Sequence, residues 1–242
     1  MRRVLGIAGL VVVGACVATG CGRLLPPQSV SETKTLDQAV TSVKLDGRSG
    51  DVTVRGQVGL AKVTVQRTIK YHDSVPNKDT YRVDGGVLVL SGDCGNDCDV
   101  DYEVTVPAGL SVTGKTSSGD IELNNVGPVD VSTTSGQLTL TDVTGSVKAG
   151  TSNGDIQGAG LHGGTVQATT SNGAIDLVLR EPADVTARTS NGDIKLGMPT
   201  GSYRVDTTNN NGHRKIGIAQ DPNGHNHLDL STDNGEIEVV PA

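Results

Sequence analysis

The sequence predicts an all-β protein built as a single-stranded parallel β-solenoid (β-helix-like), with about 17–20 residues per coil and irregular N-terminal capping coils. Three observations support this prediction. A glycine-centred motif recurs at nearly constant spacing, two alternating apolar pairs accompany it in each repeat, and aromatic residues make up only 2% of the chain. Because Trp and Phe are absent while 33 of 242 residues are glycine, any core must be thin and aliphatic.

The repeat is visible from about residue 113 onward as TSSGDIEL, TTSGQLTL, TSNGDIQG, TSNGAIDL, TSNGDIKL and TDNGEIEV. Its glycines are 17 to 23 residues apart, at Gly119, Gly136, Gly154, Gly173, Gly192, Gly212 and Gly235. An alternating apolar pair follows each glycine, as in Ile175 and Leu177, and a second pair precedes it, as in Val166 and Ala168. Period two is typical of strands with one buried face. Strands this short cannot bury that face alone, so each repeat is expected to stack in parallel on the previous one.

The Ser-Gly or Asn-Gly pair predicts a sharp corner, because Asn and Gly tolerate positive φ better than other residues. Asparagines are expected to form one corner column, with side-chain amides about 4.8 Å apart that hydrogen-bond along a ladder. They are Asn153, Asn172, Asn191 and Asn234. The inward column is small, which predicts a flattened coil without a large internal cavity; it comprises Val131, Ala149, Ala168, Ala187 and Val205.

Residues 36–112 show alternation without the tight period and are expected to form divergent first coils that cap the stack. Between two of these strands lies the loop CGNDC, in which Cys94 and Cys98 are close enough for a disulfide that pins a hairpin. A metal site of the C-x3-C type is the alternative, although it lacks further ligands nearby.

The first 20 residues have the features of a signal peptide, with Arg2 and Arg3 ahead of an apolar run. Ala-Thr-Gly-Cys follows and resembles a bacterial lipobox, so we expect acylation of Cys21. Cys16 is an alternative acceptor, and an ordinary cleaved leader is a third possibility. The prediction is therefore a signal peptide over 1–20, a lipidated flexible tether over 21–35 and a β-solenoid domain over 36–242, held on the extracytoplasmic face of the cell membrane.

The formal net charge of −7 disfavours nucleic acid as a partner, because phosphates would be repelled. The acidic residues after the motif glycines suggest a calcium ladder; these are Asp120, Asp155, Asp193 and Glu236. Uncharged residues are expected between them, namely Gln137, Ala174 and His213. Carboxylates two coils, about 9.6 Å, apart are too distant for one Ca²⁺ to bridge, so the alternation indicates charge avoidance.

Other signs of metal or catalytic chemistry are weak. His213, His225 and His227 are possible Zn²⁺ or copper ligands, but a polar insertion beginning at Asp221 explains them more simply. The serines belong to the corner repeat, with no nucleophile elbow evident. Glycan-active enzymes use β-helical scaffolds, yet sugar sites usually carry aromatic platforms that this chain nearly lacks. We therefore predict no enzyme activity, no cofactor and no metal site.

The serial Ser/Asn-Gly-Asp/Glu-Ile motifs, the CGNDC loop followed by DVDYEVTVPAGLSV, and the segment STDNGEIEVV resemble the bacterial putative-adhesin family over roughly residues 36–242. The resemblance implies a β-solenoid domain of unknown function at the cell surface, with an adhesive or structural role and no catalytic residues to transfer.

The sequence thus predicts a membrane-tethered solenoid whose Thr/Ser/Asn surface serves adhesion or structural binding, with an envelope protein or a surface glycan as partner. An accessory role in envelope stress sensing or signalling is the alternative, and a glycan hydrolase or lyase is a third.

Overall fold

The computed structural model describes residues 26–72, 74–95 and 97–242, and in these ranges every regular element is a strand. The strands are β1 (Gln28–Thr35), β2 (Ser42–Asp46), β3 (Val52–Gln57), β4 (Thr64–Tyr71), β5 (Tyr81–Asp84), β6 (Val87–Ser91), β7 (Cys98–Pro107), β8 (Ser111–Lys115), β9 (Ile121–Asn124), β10 (Val129–Ser132), β11 (Leu138–Thr141), β12 (Val147–Gly150), β13 (Ile156–Leu161), β14 (Val166–Thr169), β15 (Ile175–Leu179), β16 (Val185–Asn191), β17 (Ile194–Met198), β18 (Tyr203–Asn211), β19 (Arg214–Ile216), β20 (Asn226–Asn234) and β21 (Ile237–Pro241).

The strands form two sheets. Sheet A has the order β1-β4-β7-β3-β9-β11-β13-β15-β17-β21-β19, and sheet B has the order β18-β20-β16-β14-β12-β10-β8-β2-β6-β5. From β8 to β17 the chain alternates between the sheets, and each strand is parallel to the next strand of its own sheet. One strand from each sheet makes a coil. The predicted all-β, parallel β-solenoid is confirmed.

Apolar columns run along the interior. In sheet A one column comprises Val52, Ile121, Leu138, Ile156, Ile175, Ile194 and Ile237, all buried. Two turns separate the sheets in each coil: the first corner carries the motif glycine, and the second leads into the next coil. A further buried column lines the second corner, at Val126, Val143, Leu161, Leu179 and Met198. These columns together form one continuous hydrophobic core.

The N-terminal part departs from sequential stacking. The coil of β2 and β3 lies between the coil of β6 and β7 and that of β8 and β9, while β4 pairs antiparallel with β7. Residues 28–35, expected to end a flexible tether, instead form β1 on the outer edge of β4. Backbone pairing holds β1 there, together with an ion pair of 2.6 Å between Arg67 and Glu32 and a hydrogen bond between the hydroxyls of Ser31 and Thr68.

The C-terminal part departs in the same way. The coil of β20 and β21 lies between the coil of β16 and β17 and that of β18 and β19. The expectation that each repeat stacks on its predecessor is therefore wrong at both ends. Val205 was also expected in the small inward column after Ala187, but it pairs with Leu228, and Leu230 follows Ala187. The inserted coil changes both neighbour and register.

Polar side chains cover both ends of the core. Arg67 faces inward on β4, where only 17% of its side chain is exposed and its guanidinium lies 5.7 Å from the centre of the Tyr81 ring. Arg214 occupies the register position of Ile237 and donates a hydrogen bond of 3.3 Å to the Thr207 hydroxyl. A polar terminal coil is what a solenoid needs, because an apolar end would remain exposed.

Close stacking at the first corner requires glycine. Gly173 has φ of +154°, and a Cβ built on it would lie 2.0 Å from the carbonyl oxygen of Gly154 in the preceding coil. The same contact is between 1.9 and 2.2 Å at the other six motif glycines. A side chain at these positions would therefore meet backbone that cannot move without separating the coils.

Replacing Gly173 by Ala should lower the free energy of unfolding by more than about 3 kcal/mol, because a strained backbone adds to a backbone clash. Gly59→Ala is the matched control. Gly59 also has positive φ, +74°, but nothing lies within 4 Å of an added Cβ. It should cost only about 1–2 kcal/mol. Thermal unfolding followed by circular dichroism measures both, and equal losses would contradict the packing argument.

Candidate binding surface

The first corner presents a ladder of asparagine amides to solvent. Asn172 donates from Nδ2 to Oδ1 of Asn153 at 3.0 Å, Asn191 donates in the same way to Asn172, and Asn234 to Asn191. The structure thus brings together all four asparagines of the predicted corner column. Asn211 extends the ladder with a bond of 3.0 Å to Asn234. The inserted last coil makes Asn234 the direct neighbour of Asn191.

Serines flank the amides on the exposed side of the corner. Ser118 and Ser135 continue the column beyond Asn153, so that seven aligned residues span about 29 Å at one-coil spacing. Ser152, Ser171 and Ser190 precede the asparagines, are exposed, and have hydroxyls without a hydrogen-bond partner among the described residues. The corner therefore offers regularly spaced hydroxyl and amide groups to a ligand.

A buried threonine ladder supports this surface from behind. Each threonine lies three residues before a motif glycine and donates to the glycine carbonyl of the neighbouring coil, at distances from 2.9 Å for Thr232 to 3.5 Å for Thr133. The other members are Thr151, Thr170 and Thr189. In the degenerate coil Asn209 replaces threonine, and its amide donates to the Gly235 carbonyl at 2.8 Å. The hydroxyls thereby satisfy carbonyls that the tight turns leave at the edge of the core.

Thr116 is the exception in this ladder. Its hydroxyl is buried without a partner among the described residues, next to a cavity of about 10 Å³ that Gly50 and Tyr102 help to line. Burial raises the pKa of the Tyr102 phenol far above its usual value, and its hydroxyl lies 2.8 Å from the Ser91 carbonyl. The N-terminal coils are thus less regular than the later ones.

The aspartates after the motif glycines accept hydrogen bonds from backbone amides. Asp155 accepts a hydrogen bond of 2.8 Å from the amide of Ala174, and Asp193 accepts one of the same length from Glu236. Three more hydrogen bonds of this kind, 2.8 to 3.0 Å long, link successive coils. The amide of Asp51 donates to the carboxylate of Asp101, that of Asp120 to Asp51, and that of Gln137 to Asp120. Each carboxylate thereby satisfies an amide at the start of the next strand.

The charge-avoidance interpretation is therefore wrong. Glu236 lies directly on Asp193, because the last coil is inserted there, and Asp51 lies directly between Asp101 and Asp120. Adjacent carboxylates are tolerated because one oxygen of each aspartate accepts a backbone amide. Among the described residues, no group of three or more His, Cys, Asp or Glu side chains is arranged to hold a metal ion.

Cys94 and Cys98 form a disulfide in the connection from β6 to β7. Beside it opens a cleft of about 600 Å³ with charges of both signs, lined by Pro27, Arg48, Lys70, His72, Asp97 and Asp99. Lys70 is already paired with Asp101 at 2.6 Å, and this hydrogen bond raises the pKa of its ammonium group. The cleft is polar and open.

The three C-terminal histidines have different surroundings. His227 places Nε2 2.7 Å from Asp206 and Nδ1 3.0 Å from Arg204, so both ring nitrogens are engaged in holding β18 against β20. His213 and His225 are exposed. The turn around Asp221 forms the expected polar insertion, where its carboxylate accepts the amide of Asn223 at 2.9 Å, and this bond lowers the pKa of Asp221.

Several positions of the threonine and asparagine ladders were not predicted from the sequence. The threonine at the start of each TSNG motif repeats as regularly as the asparagine, so its ladder could have been found from spacing alone. Asn211 is hidden by the degenerate motif and by the changed order of coils. Cys21 and Cys16 lie outside the described residues, as does the whole predicted signal peptide. The described residues contain no helical segment that could span a bilayer.

A family model described as Toastrack DUF4097 matches residues 29–240. No curated protein matches the chain. Among solved structures, a putative cell adhesion protein from Clostridium sporogenes is similar at 12% identity with a TM-score of 0.43, covering 89% of this chain and 100% of that one. A putative adhesin from Bacteroides fragilis is similar at 13% identity with a TM-score of 0.46, covering 88% and 97%.

Replacing Thr170 by Val should lower the free energy of unfolding by about 1–3 kcal/mol, because the Gly154 carbonyl loses its buried donor. Thr169→Val is the matched control, since Thr169 is exposed on the outside of β14 and a β-branched residue suits a strand. Urea unfolding distinguishes the two variants. Equal stability of the Thr170→Val protein and the original would mean that the threonine ladder contributes nothing.

Proposed function

The chain belongs to the Toastrack DUF4097 family, and from this premise we propose that it is a lipid-anchored, non-catalytic protein of the cell envelope that presents its first corner for adhesion or for structural or protein binding. The observation that supports the proposal is the exposed array of Ser and Asn groups at one-coil spacing. Such an array can contact an extended partner at several equivalent positions, so weak contacts add along its length.

The charge around the corner indicates the kind of partner. Exposed carboxylates of Asp120, Asp193 and Glu236 border the array, and Asp233 lies within it. Anionic polymers would be repelled, whereas an uncharged glycan or a protein segment without excess acidic residues would be accepted. Sugar hydroxyls can donate to the carboxylates and accept from the amides.

The proposed anchor is Cys21, on the extracytoplasmic face of the cell membrane. Pro26 and Pro27 lead directly into β1, so only six residues separate Cys21 from the first strand at Gln28. At most about 25 Å of chain then connects the lipid to the solenoid, which keeps the domain close to the membrane surface. A signalling role remains the alternative: capture of a membrane sensor by crosslinking in intact cells, with normal adhesion of a deletion strain, would favour it.

A triple substitution tests the corner. Ser152→Arg, Ser171→Arg and Ser190→Arg together should reduce co-sedimentation of the full chain with isolated cell-wall polysaccharide and reduce its crosslinking to envelope proteins, because bulky side chains cover the array. The matched control is Ser132→Arg, Gln167→Arg and Thr169→Arg, which adds the same charge to the exposed face of sheet B.

The control variant should bind as the original does. Equal loss in both variants would attribute the effect to charge, and equal binding by all three proteins would contradict the corner as the binding surface. Release of soluble fragments from the polysaccharide by the intact chain would contradict the non-catalytic part of the proposal.

Replacing Cys21 by Ser should release the protein into the medium, because the residue that carries the acyl chains is gone. Fractionation of cells and medium measures the distribution. Cys16→Ser is the control and should leave the protein on the membrane. Release by Cys16→Ser, with retention of the Cys21→Ser variant, would assign the anchor to the other cysteine.

A further inference from the structure

Four neighbouring strands of sheet A expose a column of alternating charge. In the order β15, β17, β21 and β19 the residues are Asp176, Lys195, Glu238 and Lys215. Glu238 and Lys215 form an ion pair of 2.6 Å within one molecule. The sign pattern of the column along the stack is negative, positive, negative, positive.

A second column beside it alternates in size. Its residues are Val178, Gly197, Val240 and Gly217, the last of which follows β19 and donates to the Val239 carbonyl at 2.7 Å. Val178 is 40% exposed, one of three large hydrophobic residues so exposed among the described residues. Its methyl groups lean over Gly197, where a Cβ would come within 3.3 Å of them. The column therefore presents a ridge at Val178 and an exposed depression at Gly217, whereas Gly197 is buried beneath Val178.

The charge column is self-complementary under one operation. A two-fold axis that is parallel to the strands and passes between β17 and β21 reverses the order of the four strands in a facing copy. Asp176 then faces Lys215 of the other copy, and Lys195 faces its Glu238. In the second column the exposed Val178 faces the exposed Gly217, so this ridge meets a depression, whereas Val240 faces Gly197, which Val178 of its own copy covers.

We propose that this surface of β15, β17, β21 and β19, here called the pairing face, binds a second copy of the chain face to face about that axis. An isologous contact pairs each residue with its counterpart in both directions, and the charge column and the Val178–Gly217 contact share the same centre. At the first-corner border of the face, the same operation places Asp193 of one copy opposite Glu236 of the other, and this like-charge contact weakens the pairing.

The size of the pairing face predicts a weak dimer. Four strands cover about 19 Å along the stack, and the paired residues about 13 Å along the strands, so two copies bury only about 500 Å² in total. This is below the area of a stable complex. Confinement of both copies to one membrane, which rests on the proposed lipid anchor, raises their local concentration enough to favour pairing.

Charge alternation alone has a simpler explanation, because neighbouring strands of one sheet are stabilised by opposite charges. That explanation does not account for the exposure of Val178, which is 40%. It also differs in its consequence for a charge swap: exchanging Lys195 and Glu238 places like charges next to each other within one copy, yet restores opposite charges between copies.

Crosslinking in intact cells tests the pairing. Two differently tagged full-length chains, one with Asp176→Cys and one with Lys215→Cys, are co-expressed and treated with a short bismaleimide. Facing residues lie about 10 Å apart between packed sheets, whereas Asp176 of one copy and Asp176 of the other lie about 17 Å apart. We expect a crosslinked dimer that carries both tags, called the mixed product. No crosslinked dimer should form when either variant is expressed alone.

Lys195→Glu on both chains should reduce the mixed product by at least about tenfold, because two repulsive pairs replace two attractive ones. Adding Glu238→Lys should restore it. Absence of the mixed product although both cysteines react with a monofunctional maleimide would overturn the proposal, as would failure of the charge swap to restore it. Membrane fractionation of the same cells reports the anchor separately, so a failed anchor is recognised independently.

Discussion

The approach of one glycine to the carbonyl of the glycine below it is the constraint on which this structure depends. A coil spacing of about 4.8 Å is set by backbone hydrogen bonds in the two sheets, and the first corner must keep the same spacing while reversing the chain. Gly173 and its equivalents allow this because a Cβ would lie within about 2 Å of the neighbouring carbonyl. The flattened coil, the thin aliphatic core and the aligned polar corner all follow from that contact.

Much of this arrangement is predictable from local sequence. Alternation identifies the inward positions of the regular coils, and the Asn-Gly pair identifies the corner, because both depend on residues within one repeat. The buried columns through Ile175 and Ala168 follow directly. The amide ladder is predictable for the same reason, since parallel stacking aligns equivalent residues wherever the repeat is regular.

The order of the coils is not predictable in that way. Nothing within TNNNGHRKI shows that its coil lies outside the one that follows it, because the choice depends on which coil best covers the Leu196 and Ala187 layer. Leu228, Leu230, Ile237 and Val239 cover it with apolar side chains, whereas Thr207 and Arg214 suit an end that meets solvent. The charge-avoidance interpretation of the acidic column was incorrect for the same reason, because it also depends on the order of the coils. Direct contact of Glu236 with Asp193 is a property of the stack and has no counterpart in sequence distance.

The interleaved C-terminal coil has a consequence for the order of assembly during synthesis. Residues 203–216 are made before residues 226–241, yet they reach their native neighbours only through the later segment. A nascent chain that ends before residue 226 can therefore complete its coils only as far as β17. Strands β18 and β19 cannot join the stack until β20 and β21 have been made. Completion of the stack becomes a late, non-local event, so the far end acts as a checkpoint that distinguishes finished molecules from truncated ones.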